Sequence, residues 1–177
     1  YAEAAALLGW SAVDGGDRLG ALLFEDHSHQ EHRPRGGKPP LLHLLKTLTE
    51  ERHWQHSKAA ESSIEESLLF AMQRLRRVAS PGSLIFILSD FAGLTPASAA
   101  QITELGRHSE VVLCFCHDPL EAELPPAGHY RVSDGLQSRL IDSASQAQRE
   151  HYRARFDAQL SELEALAHRP GIQLLPL

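Results

Sequence analysis

A chain of 177 residues with 42% hydrophobic and 23% charged residues is long enough to bury a core and has an ordinary globular composition. A net charge of −6 argues against nucleic acid as the main partner, because phosphate binding needs clustered Lys and Arg. No apolar run approaches the roughly 20 residues that span a bilayer, and no signal segment opens the chain. A single domain over 1–177 is expected, and a start at Tyr1 rather than Met reads as a piece of something longer.

In chain order, the Ala- and Leu-rich stretch from Ala2 to about Ala12 predicts a helix closed by Asp14-Gly15-Gly16. Leu19–Phe24 follows as a strand, with Asp26 to Arg33 as a short hairpin partner and Arg33 to Pro40 as a basic Pro/Gly loop. Leu41 to about His53 is helical, with Leu41, Leu44, Leu45 and Leu48 on one face. Ser62 and Ser63 each precede a Glu by three residues, the capping-box spacing, and Ile64, Leu68, Ala71, Leu75 and Val78 form the stripe of the next helix. Leu84–Ser89 is apolar on both faces and reads as a central parallel strand. A helix from Pro96 behind the cap Thr95 to about His108 leads into a second such strand, 111–116. His129 to Val132 and Ser138 to Ile141 can pair, a long helix runs from about Ala144 to Ala167, and Ile172 to Leu175 closes the chain as a strand. The alternation predicts an α/β fold, a doubly wound, mostly parallel sheet with helices on both faces.

Chemistry in such folds collects at the carboxyl ends of strands, which singles out Asp90 after the first apolar strand and Asp118 after the second. Cys114 and Cys116 point the same way about 6.6 Å apart along one strand, a poor disulfide geometry, and read as core thiols of a reducing, cytoplasmic compartment. His27, His29 and His32 form a small cluster of zinc-binding type, for which coincidence among 11 histidines is the plainer reading. Arg74, Arg76 and Arg77 sit in the last turn of their helix, where they oppose the negative end of its dipole.

The ordered set Asp17-Arg18-Leu19-Gly20-Ala21-Leu22-Leu23-Phe24, Pro81-Gly82-Ser83, Leu88-Ser89-Asp90-Phe91, Asp118-Pro119-Leu120-Glu121, Leu124-Pro125-Pro126-Ala127-Gly128 and Val132-Ser133-Asp134-Gly135 resembles the bacterial family called domain of unknown function 58. The Ala154-Arg155-Phe156 helix and Gly171-Ile172-Gln173-Leu174-Leu175 extend the resemblance over nearly the whole chain. It implies a von Willebrand factor type A-like fold, association with MoxR-type AAA+ ATPases, and a metal-ion-dependent adhesion site for Mg²⁺. By that resemblance Asp90 matches the third metal loop and Ser62 the second, while the first strand and its metal loop are missing from this chain. Two ligands are too few for firm Mg²⁺ binding.

A non-enzymatic interaction domain is therefore expected, with Phe91 beside Asp90 and the His56 to Ser63 loop as the partner surface, the alternative for Phe91 being that it tucks back into the core. The alternative is a Mg²⁺-dependent phosphoryl-transfer or hydrolytic enzyme using Asp90 and Asp118. No GxxxxGK[ST], GxSxG or HExxH motif supports it. The resemblance also implies a parent anchored to the inner membrane. For the gap left by the missing strand, two outcomes are expected: direct pairing of Leu19–Phe24 with Leu84–Ser89, or a homodimer through the sheet edges.

Overall fold

The computed structural model describes residues 1–24, 29–50, 64–133 and 138–177. Its order is α1 (Ala2–Asp14), β1 (Arg18–Phe24), β2 (His29–Gly36), α2 (Lys38–Thr49), α3 (Ile64–Val78), β3 (Leu84–Ser89), α4 (Pro96–Gly106), β4 (Glu110–Phe115), α5 (Pro119–Ala122), β5 (His129–Ser133), β6 (Ser138–Asp142), α6 (Gln146–Ala167) and β7 (Ile172–Pro176). The mixed α/β class and the parallel sheet agree with expectation. One boundary does not: the basic stretch expected as a loop is strand to Gly36, and α2 begins at Lys38. Pro39 and Pro40 occupy the first turn of α2, where a missing N–H costs no helix bond. The caps expected at Ser62 and Ser63 lie outside the described residues.

Three strands form a parallel sheet in the order β3-β4-β7. Ile85 aligns with Val111 and Ile172, and Ile87 with Leu113 and Leu174. Side chains alternate along a strand, so these residues share one face. That face builds the main core together with Leu68, Ala71 and Met72 of α3, Ile102 and Leu105 of α4, and Leu163 and Leu166 of α6. The crossovers β3-α4-β4 and β4-α6-β7 advance in the same direction, and right-handed connections then place both helices on one side. Gly171 shapes the entry to β7. Its φ is +76°, and a Cβ there would fall 2.1 Å from the Gly106 carbonyl oxygen, a space open only to glycine.

β1 and β2 form a separate antiparallel hairpin, in which Leu22 pairs with Glu31 and Phe24 with His29. α1 and α2 pack together over it, closely enough that a Cβ on Gly9 would meet Leu41 Cδ1 at 2.4 Å. An ion pair of 2.7 Å between Arg74 of α3 and Glu31 of β2, and Phe24 against the main core, join the hairpin to the rest. β5 and β6 make a second antiparallel pair.

The expected position of Leu84–Ser89 needs correction. Among the described residues Leu84–Ser89 is an edge strand and β4 is the central one, because β1 pairs with β2 and not with β3. Ser83 and Ser89 offer their carbonyls to Glu110 and Cys116 of the β4 side. By alternation, the backbone groups of Leu84, Phe86 and Leu88 point away from β4, and no strand among the described residues pairs with them. The expected direct pairing of Leu19–Phe24 with Leu84–Ser89 is not formed.

Candidate functional site at the carboxyl edge of the parallel sheet

β3 and β4 run parallel, so their carboxyl ends bring Asp90 and the segment from Cys116 to Asp118 to one edge. The turn after β3 is held by its own side chains. Ser89 Oγ accepts the Phe91 N–H at 2.9 Å, and Asp90 Oδ1 accepts the Ala92 N–H at 3.1 Å. Gln159 of α6 donates through Nε2 to the Asp90 carbonyl at 2.6 Å, which ties the turn to the long helix. Phe91 takes the left-handed conformation at φ 53°, uncommon for a bulky side chain.

That conformation sends the Phe91 ring into the core, where it is 1% exposed. The expectation that Phe91 offers an exposed aromatic to a partner is therefore corrected. A large apolar ring next to a helix-covered sheet face is more stable buried than exposed, by about 1.5–3 kcal/mol. Ser62 and the loop from His56 to Ser63 lie outside the described residues. Of the two residues expected to hold Mg²⁺, only Asp90 can be placed, and among the described residues no three His, Cys, Asp or Glu side chains gather into a metal-type group.

Asp118 has a local task. Its carboxylate accepts the Leu120 N–H at 2.8 Å, and Glu121 Oε1 in return accepts the Asp118 N–H at 3.1 Å, a capping box at the start of α5. Tyr1 lies at this same edge. Partial burial, then the neighbouring Asp90, Cys116 and Glu121, push its phenol up to about 12. Burial also raises both thiols, Cys114 to about 11 with Cys116 as second cause, so both remain protonated near neutral pH. Cys114 is buried, as the reading of core thiols expects, whereas Cys116 is only half-buried and turns its Sγ toward the Cys114 carbonyl at 3.4 Å.

Three residues of this edge escape sequence reasoning: Tyr1, His117 and Gln159. His117 stacks on Phe115 with ring centroids 4.9 Å apart, leans on Phe156 at 5.2 Å, and buries Nδ1 without a hydrogen-bond partner among the described residues. Its place directly behind an apolar strand was a usable signal. Nothing local marks Gln159, which reaches Asp90 from far along the chain. The zinc-type cluster is divided: His29 packs edge-on against Phe70 of α3, His32 faces His43 of α2, and His27 lies outside the described residues.

Residues 1–163 match a family described as "Protein of unknown function DUF58". No curated protein matches. A solved structure described as "Crystal Structure of Uncharacterized Membrane Spanning Protein from Vibrio fischeri" is 14% identical, with 99% of this chain and 76% of that chain covered. Its TM-score of 0.21 is too low to support an argument about fold.

Proposed function

The chain belongs to the DUF58 family, and on that premise we propose that it is a non-enzymatic protein-interaction domain of von Willebrand factor type A-like architecture. In this reading it acts with a MoxR-type AAA+ ATPase in assembly or maturation of other proteins, through an incomplete metal-ion-dependent adhesion site. The observation that carries the reading is Asp90 at the carboxyl tip of β3, on the side of the sheet where no strand among the described residues pairs with β3. A type A-like sheet has a further strand between the positions of β1 and β3, and the open edge at Leu84, Phe86 and Leu88 supports such a place. The metal loop of that strand would stand next to Asp90. Asp90 spends one carboxylate oxygen on the Ala92 N–H, which leaves the other as a donor for a hard cation such as Mg²⁺.

The hydrolytic alternative would use Asp90 and Asp118 together. It has less support, because the sequence carries no GxxxxGK[ST], GxSxG or HExxH motif. A pull-down with a MoxR-type ATPase, comparing wild type with Asp90→Ala, tests the proposal. Recovery should fall in the variant, and equal recovery would count against a contact at this edge. Phosphatase and nucleotide-hydrolysis screens with Mg²⁺ or Mn²⁺ test the alternative, and robust turnover lost in Asp90→Ala would reverse the choice.

A further inference from the structure

Gln159 is a polar residue on the inward face of α6. Phe156, Leu160 and Leu163 of that helix pack into the main core, and Gln159 shares their face at helical spacing. A polar side chain so placed needs a partner. Gln159 finds it in the Asp90 carbonyl, to which Nε2 donates at 2.6 Å. The peptide that joins Asp90 to Phe91 is thereby held at both ends. Its carbonyl accepts from Gln159, and its N–H donates to Ser89 Oγ at 2.9 Å. Because the peptide is planar, holding both ends sets ψ of Asp90 and φ of Phe91 together.

Phe91 sits at φ 53°, a conformation that a bulky residue keeps only where its surroundings over-determine it. A flip of the 90–91 peptide would carry Phe91 out of the left-handed region and turn the Asp90 carbonyl away from Gln159. The carboxylate depends on the same angles. Asp90 Oδ1 reaches the Ala92 N–H, two residues on, only while the chain between them keeps this turn. We infer that Gln159 is a positioning residue for Asp90. By holding the 90–91 peptide in its strained orientation, it keeps the carboxylate turned back on the Ala92 N–H, with the second oxygen available to a hard cation such as Mg²⁺. The inference rests on the proposed reading of this edge, and it makes α6 the element that regulates the site. Tyr152 and Arg149 of the same helix bond the Leu120 and Pro125 carbonyls at 2.8 and 2.9 Å, so α6 also holds the segment that follows β4. A shift of α6 would release the Asp90 turn.

NMR of the full chain and recovery of a MoxR-type ATPase, both measured on Gln159→Leu, test this. Leucine keeps the bulk and removes the donor. Gln159→Glu, which keeps the shape and also lacks the donor at neutral pH, takes its place if the leucine variant does not fold. Hydrogen exchange at the Ala92 amide should quicken by about fivefold, the worth of one neutral hydrogen bond. The backbone signals of Phe91 should move away from the left-handed range, and recovery of the ATPase should fall. Tyr152→Phe, which removes a bond of the same kind from the same helix, should change none of the three. Unaltered Phe91 and Ala92 signals in Gln159→Leu would overturn the positioning role, as would equal changes in Tyr152→Phe. Altered signals with full recovery, while Asp90→Ala loses recovery, would also overturn it, since the held turn would then not matter to the site. Full recovery in Asp90→Ala would instead overturn the reading of the edge and with it the regulatory role, but not the hold of Gln159 on the turn.

Discussion

Phe91 and Asp90 are neighbours with opposite fates, and the difference follows from one backbone angle. At φ 53° the chain reverses so that the Phe91 ring enters the core while Asp90 stays at the surface of the turn. Phe91→Ala should therefore cost about 3–5 kcal/mol of folding stability, the range for truncating a buried aromatic. Asp90→Ala loses the bond from the Ala92 N–H and the long one from Ser89 Oγ, and should cost about 0.5–1.5 kcal/mol. Urea unfolding of both variants checks the ranking, and a small loss for Phe91→Ala would mean that its ring is not a core residue. The thiols give a second residue-scale outcome. Cys114 is raised from 9.0 to about 11 by burial, so the unfolded chain ionises it first as pH rises. Its contribution to stability is complete below about pH 9 and is lost between about 9 and 11. Thermal melts across that range should show the decline, and Cys114→Ala should remove part of it. Below pH 9 the folded protein should leave Cys114 unmodified by alkylating reagents until it is denatured.

Helix α4 and strand β3 show how far local signals reach at the scale of an element. Thr95 and Ser98 form a reciprocal cap on α4, with Thr95 Oγ1 accepting the Ser98 N–H at 3.2 Å and Ser98 Oγ accepting the Thr95 N–H at 2.8 Å. A cap is a contact between near neighbours, so Thr95 was readable from its place before Pro96, whereas the answering Ser98 was not read from the sequence. The length and limits of β3 were equally readable, but its place in the sheet was not. An apolar strand demands cover on its faces, and the residue pattern says nothing about which edge is paired. Proline substitutions separate the two edges. Leu84→Pro removes an N–H that points away from β4 and should cost at most about 1 kcal/mol, since proline is tolerated on an outward edge. Ile85→Pro removes a ladder bond to β4 and a buried side chain, and should cost about 3 kcal/mol or more. Chemical denaturation of the two variants decides it, and equal large losses would show that the outer edge is paired in solution.

At the scale of the whole molecule, the open edge and helix α1 belong together. Only Gly9 of α1 is buried, although the helix is Ala- and Leu-rich around its circumference, and Leu7 is 74% exposed. A helix apolar on all sides normally packs on more than one neighbour. β3 carries no charge or proline among Leu84–Ser89 to guard its outer edge, and Leu84 is 56% exposed there. The chain as it stands should thus self-associate with rising concentration. Sedimentation should show the mean mass increasing, and Leu84→Lys should return it toward the monomer. A mass independent of concentration in the wild type would show that this edge is protected in solution.

Sequence alone determined the α/β class, nearly every element, the two strand tips with Asp90 and Asp118, and the burial of Cys114. Those features depend on periodicity, caps and apolar runs, all of which are local. Tertiary structure decided that Leu84–Ser89 lies at an edge, that Phe91 is buried, and that Asp118 serves α5. It also paired His32 with His43 and brought Gln159 of α6 to the Asp90 carbonyl. Those facts depend on which strand pairs with which and on which face each helix covers. A chain fixes such choices only through contacts between residues distant in sequence, for which no local pattern exists.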